Sequence, residues 1–138
     1  MRRAAVASIA LLLLAACAPP HPAANNVAAL PTNAVLPTPL VLPGDAPPQI
    51  LAVQLSDPVF HSGETVSGTV VTSTNVADVR VQFAGRSGSI PQRGPGLFAL
   101  SYTLPNIPFF LRGAYTATIL ARNAAGLTAT RDISVTIK

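Results

Sequence analysis

The sequence has no tryptophan, one cysteine, two histidines and few charges, with Asp, Glu, Lys and Arg together only 10% of 138 residues. The single cysteine, Cys17, excludes an intrachain disulfide and any multi-cysteine metal site. The five carboxylates (Asp45, Asp57, Glu64, Asp78, Asp132) stand singly, which argues against the carboxylate-rich loops that hold calcium. His21 lies alone among prolines and reads as solvated, and His61 reads as a loop residue rather than a ligand. No metal and no cofactor are expected. The formal charge is +4, but two of its cations are Arg2 and Arg3, and the other seven are dispersed along the chain. Nucleic-acid binders gather theirs on one face, so nucleic acid is not an expected partner.

Signatures of catalysis are also missing. Gly85-Arg86-Ser87-Gly88-Ser89 partly matches a nucleophile elbow but lacks the second glycine where it is needed, and no strand-to-helix turn follows. Ser62, His61 and Asp57 hold the right groups for a triad, yet neighbours on a strand or turn point apart. The chain does not read as an enzyme.

What is present begins at the N-terminus. Met1-Arg2-Arg3 is a short positive segment, and Ala4 to Ala16 is an unbroken run of small and apolar residues centred on Leu11 to Leu14. About 13 residues are too few to cross a hydrocarbon core of roughly 30 Å, so the run predicts a signal peptide rather than a membrane span. Pro19, Pro20 and Pro22 close it.

Leu14-Ala15-Ala16-Cys17 resembles the lipobox of bacterial lipoproteins, a large apolar and two small residues before an obligatory cysteine. The resemblance implies peptidase recognition of Leu14, Ala15 and Ala16, cleavage after Ala16, and diacylglycerol in thioether linkage on Cys17. It also implies acylation of the new α-amine. Two or three chains at about 0.8 kcal/mol per buried CH₂ give stable anchoring. In Gram-negative lipoproteins an Asp after the cysteine commonly marks inner-membrane retention; Ala18 stands there, pointing to the outer membrane if the organism has one.

Residues 18–48 hold nine of the fourteen prolines and one charge, Asp45, with no period of 2 or 3.6. The segment predicts a disordered, semi-rigid linker, part polyproline II, that holds a domain off the membrane. Fully in polyproline II it would reach about 95 Å.

From Gln49 the texture becomes that of strands. Leu51, Val53 and Leu55 share a face, as do Val66, Gly68 and Val70. Val79, Val81 and Phe83 alternate with Asp78, Arg80 and Gln82, and Phe98, Leu100, Tyr102 and Leu104 are assigned inward. Tyr115, Ala117, Ile119 and Ala121 face in before a hairpin turn at Asn123 to Gly126, and the last strand turns Ile133, Val135 and Ile137 inward. Arg131 falls on that same parity, so a bulge near Asp132 is expected to re-phase it. Gly85 to Gly96 reads as a long loop with one short edge strand near Ser89-Ile90. The expectation is all-β: a single antiparallel β-sandwich of about seven strands over residues 49–138, preceded by a signal peptide (1–16) and the lipidated cysteine with its linker (17–48).

The last third resembles the Ig-like or fibronectin-III-like modules of bacterial surface proteins. Gly113-Ala114-Tyr115-Thr116-Ala117 is similar to their tyrosine corner, and Ala121 to Thr128 to their closing hairpin. Ala117 stands where antibody domains have cysteine, and no tryptophan is available for the third strand. Such motifs inform on fold and little on function.

Two segments are candidate contact surfaces. Pro105-Asn106-Ile107-Pro108-Phe109-Phe110-Leu111 is expected to plug the open end of the sandwich; the other reading is an exposed patch in which Phe109 and Phe110 meet a partner or dip into lipid. Arg86 and Arg93 flank a Gly/Ser loop and read as solvated charges, or as contacts for an anionic glycan or lipid head group. The function expected is that of a membrane-anchored envelope lipoprotein whose Ig-like module contacts an envelope protein, with a polysaccharide- or peptidoglycan-binding module as the alternative.

Overall fold

The computed structural model describes residues 29–138. The signal segment, Cys17 and the start of the linker lie outside the described residues. Two sheets face each other. One is four-stranded, built from β1 (Ile50–Leu55), β3 (Thr65–Thr72), β7 (Leu97–Thr103) and β6 (Gln92–Gly94) in the order β1-β3-β7-β6. The other runs β2-β9-β8-β4-β5 through β2 (Val59–Phe60), β9 (Thr128–Ile137), β8 (Gly113–Asn123), β4 (Val76–Phe83) and β5 (Arg86–Ser89). All pairs are antiparallel except β2 with β9. The first strand thus pairs in one sheet and then, as β2, crosses to the other. This is the A-B-E-D and A′-G-F-C-C′ arrangement of an immunoglobulin-like sandwich.

The core lies between the sheets where alternation predicted it. Val53, Val70, Val79, Phe98, Ile119, Ala121 and Ile133 are buried in one cluster. The short strands β2, β5 and β6 are too brief to show a period; of these only an edge strand near Ser89, where β5 ends, is expected from the sequence. The segment from Gly85 to Gly96, expected as a loop with one short edge strand near Ser89-Ile90, holds two edge strands in different sheets. Buried Ile90 marks the crossing, its N–H donating to the Val79 carbonyl at 2.8 Å.

One inward assignment and one expected bulge change. Tyr102 is 56% exposed, because it lies near the end of β7 where the facing sheet no longer covers it. The bulge expected near Asp132 is absent: β8 and β9 pair without a register shift from Gly113–Ile137 to Arg122–Thr128. Arg131 stays on the inward parity, and its guanidinium reaches the sheet end to donate to the Leu51 carbonyl at 3.2 Å. A long aliphatic stem can line a core margin while its charged head finds an oxygen, so no re-phasing is required.

The larger departure concerns the linker. Residues 29–48 do not run free; they are strapped along the sandwich. Leu30 forms a parallel bridge beside Gln54 and Leu40 another beside Ser73. The Leu30 N–H donates to Val53 O at 2.8 Å, the Leu55 N–H to Leu30 O at 3.3 Å, and the Thr74 N–H to Leu40 O at 2.8 Å. Proline-rich chain has carbonyls to spare and few donors, so it is held chiefly as an acceptor. Gln54 Nε2 reaches the carbonyls of Pro31, Thr32 and Ala34 at 2.8–3.1 Å. Asn75 Nδ2 takes those of Pro43 and Ala46, and Asn123 Nδ2 those of Gly44 and Ala46. Ala52 and Val71, paired across β1 and β3, point away from the core cluster, yet are only 3% and 1% exposed. The strap crossing from Gln54 to Ser73 covers them.

Candidate functional site

The segment after β7 is shaped by its prolines. Pro105 and Pro108 remove donors, and Pro108 leads into a single 3₁₀ turn at Phe109–Leu111 closed by Leu111 N–H to Pro108 O at 3.0 Å and Arg112 N–H to Phe109 O at 3.2 Å. Four hydrogen bonds fix this turn and the segment leading into it from outside. The Tyr115 hydroxyl donates to Leu111 O at 2.6 Å, which is a tyrosine corner. The Ile107 N–H donates to Ser62 Oγ at 2.9 Å, and that hydroxyl donates to Ile107 O at 3.3 Å. The Leu104 N–H meets Glu64 O at 2.8 Å. Glu64 in turn accepts from the His61 backbone N–H and lies 3.2 Å from His61 Nδ1.

On this braced turn the two phenylalanines face solvent. Phe109 is 77% and Phe110 71% exposed, and their rings meet each other edge to face at 5.8 Å rather than the core. The expected plug is therefore not made by them. That end of the sandwich is filled instead by Phe83, which packs against Phe60 at 6.1 Å and Tyr115 at 5.6 Å. With these three rings in place, and the Tyr115 hydroxyl holding the turn by its last carbonyl, the turn is carried outside the core.

The register places several cations at this same end. Arg112 follows the turn directly, Arg86 pairs with Phe83 at the β4–β5 hairpin, and Lys138 follows β9, whose end pairs with the start of β8. All three are exposed. Arg93 is not among them, since it lies on β6 in the other sheet, and so Arg86 and Arg93 do not form one guanidinium loop.

A second surface is the edge formed by β5. All four of its residues are exposed, and beside it a shallow open depression runs over Gln82, Arg86, Ser87, Thr116 and Thr118. The strap runs beside the four-stranded sheet at Gln54 and Ser73 and meets the five-stranded sheet at Asn123, the end of β8.

The groups weighed as a triad are engaged elsewhere. Ser62 holds Ile107, His61 holds Glu64, and Asp57 Oδ1 accepts from the Val59 N–H at 2.7 Å. Among the described residues no three of His, Cys, Asp or Glu gather as metal ligands. Cys17 with Leu14, Ala15 and Ala16 lies outside the described residues.

Sequence reasoning missed the amides that hold the strap. Gln54, Asn75 and Asn123 are ordinary strand and turn residues until the chain they bind is folded beside them. One signal was available: Ala52-Val53 and Val70-Val71 place apolar residues on both faces of a strand, as strands covered on both sides do.

No family model matches the chain, and no curated protein matches it. Among solved structures it is similar to the PKD1 domain of the Vibrio cholerae metalloprotease PrtV, with 16% identity, 67% of this chain and 99% of that one covered, and a TM-score of 0.44. It is also similar to a bacterial immunoglobulin-like domain of the M. primoryensis ice-binding adhesin, with 19% identity, 62% and 95% covered, and a TM-score of 0.38. A third likeness, to the alkylpurine DNA glycosylase AlkC of Pseudomonas fluorescens, has 13% identity and a TM-score of 0.43, and spans 68% of this chain but 31% of that one. The fold is immunoglobulin-like. That assignment rests on the strand order and the tyrosine corner.

Proposed function

We propose that this is a lipid-anchored envelope protein whose immunoglobulin-like domain is an interaction module for another envelope protein. The observation that carries the reading is the strap. Residues 29–48, on the way from the lipobox cysteine, are strapped beside the four-stranded sheet and meet the five-stranded sheet at Asn123, the end of β8, which leaves the β5 edge as the surface offered to a partner. Such an edge presents unpaired backbone groups, and strand addition is a common way for proteins to use them. Leu14-Ala15-Ala16-Cys17 supports the anchor, and Ala18 supports the outer membrane as its place where the cell has one. A glycan-binding role lacks its usual platform: Tyr102 is a single exposed ring on a strand, with no second aromatic beside it among the described residues.

The anchor is tested by Cys17→Ser, which should abolish palmitate labelling and move the protein out of the membrane pellet; unchanged partitioning rejects it. The partner surface is tested with a photo-cross-linker at Ser87, compared with one at Val35 on the strapped side. Cross-links of equal yield from both positions would reject the β5 edge.

A further inference from the structure

We infer that the end of the sandwich carrying Phe109 and Phe110 seats in the headgroup region of an anionic lipid surface, the one that bears the lipid on Cys17. The inference rests on the anchored reading for its geometry and on the tip itself for its affinity. The strap decides which end faces the membrane. Pro48 enters β1 at Ile50, the end of the sandwich remote from Phe109; a tether leaving there would hang the domain with its aromatic end outward. Instead the chain joins the sandwich at Leu30, beside Gln54 and Leu55. Leu55 pairs with Gly68, three residues above the start of β3 at Thr65, or about 10 Å at the rise of a strand. Twelve residue steps separate Cys17 from Ala29, a reach of at most about 40 Å. The tether is thus short and attached on the half of the domain that bears the tip.

The tip has the chemistry for that surface. Phe109 and Phe110 with the 44% exposed Leu111 form an apolar projection, and Arg86, Arg112 and Lys138 are exposed at the same end, where the Glu64 carboxylate is already engaged by His61. Apolar rings enter the headgroup boundary while cations meet lipid phosphates. The turn is held by Tyr115, Ser62 and Glu64 before any lipid arrives, so little ordering is required on contact.

The absence of tryptophan supplies the test. In the mature chain carrying Cys17→Ser, Phe109→Trp or Phe110→Trp is the lone tryptophan, excited selectively over Tyr102 and Tyr115, and exposure of both positions makes either substitution tolerable. Phosphatidylglycerol-rich vesicles should shift its emission to the blue and expose it to quenching by brominated lipid; pure phosphatidylcholine should bind more weakly. Adding Phe→Ser at the other position should lower vesicle affinity about tenfold, and Arg112→Glu about fivefold. Emission indifferent to both vesicle types overturns the inference. So does vesicle binding that survives Phe109→Ser with Phe110→Ser, or a blue shift that grows with protein concentration without lipid, which would mark a second copy as the occupant. Palmitate labelling of Cys17 in the unsubstituted chain is read separately, so loss of the tip's binding and loss of the anchor are distinguishable.

Discussion

Asn123, at the end of β8, and Ala46, in the strap, are 77 residues apart in sequence and joined by a hydrogen bond of 2.9 Å from Nδ2 to the Ala46 carbonyl. Asn75 donates to the same carbonyl at 2.8 Å. Two side-chain amides, one from the end of β8 and one from the turn between β3 and β4, therefore close on one turn of the approach segment, and make residues 29–48 part of the domain.

Asn123→Ala should be costly. The side chain is 2% exposed and also accepts from the Leu127 N–H at 2.9 Å across the closing hairpin. Its loss leaves buried groups without partners, and a decrease of about 2–4 kcal/mol in unfolding free energy is expected from urea denaturation.

Gly96 separates strain from collision. It has φ +70°, and a Cβ there would stand 2.6 Å from Thr72 O and 2.7 Å from Pro39 Cβ. Gly96→Ala should cost about 2 kcal/mol or more and free the strap, read as faster amide exchange between residues 36 and 42. Gly63→Ala, at φ +76° with nothing within 4 Å, should cost only about 1 kcal/mol and leave exchange in the strap unchanged.

Removing the strap should weaken the sandwich. A chain of residues 49–138 exposes Ala52 and Val71, and leaves Gln54, Asn75 and Asn123 without their carbonyls. Relative to 29–138, its unfolding free energy should fall by at least about 2 kcal/mol. Equal urea midpoints would show that the strap rests on the domain without stabilising it.

Ala84 offers a gain. It has φ +47° and precedes Gly85 at φ +75° in the two-residue β4–β5 hairpin, the pattern of a type I′ turn. Asn is preferred at that first position, so Ala84→Asn should raise the thermal midpoint, by about 0.5–1 kcal/mol of stability.

Tyr115→Phe removes the hydroxyl that holds Leu111 while keeping the ring against Phe83. About 1 kcal/mol of stability should be lost. The backbone amides of residues 107–112 should exchange faster, with the rest of the sandwich unchanged.

Much of the sandwich was legible in the sequence because a strand buried on one face must alternate. Val79, Phe98, Ile119 and Ile133 could be assigned inward from period alone, and the Tyr115 corner and the Asn123 turn from local chemistry. What only the tertiary structure decided lies where period is silent. β2, β5 and β6 are too short to alternate, and Arg131 satisfies an inward parity by reaching the Leu51 carbonyl. Phe109 and Phe110 are apolar enough for a core, and are outside it because Phe60, Phe83 and Tyr115 already fill that end. The proline-rich segment shows no period because its partners are the amides of Gln54, Asn75 and Asn123, which come to face it only when the sheets have formed. Local sequence can specify which residues seek burial; which surface meets them, and which end of the domain the strap leads to, is fixed by contacts between residues far apart in the chain.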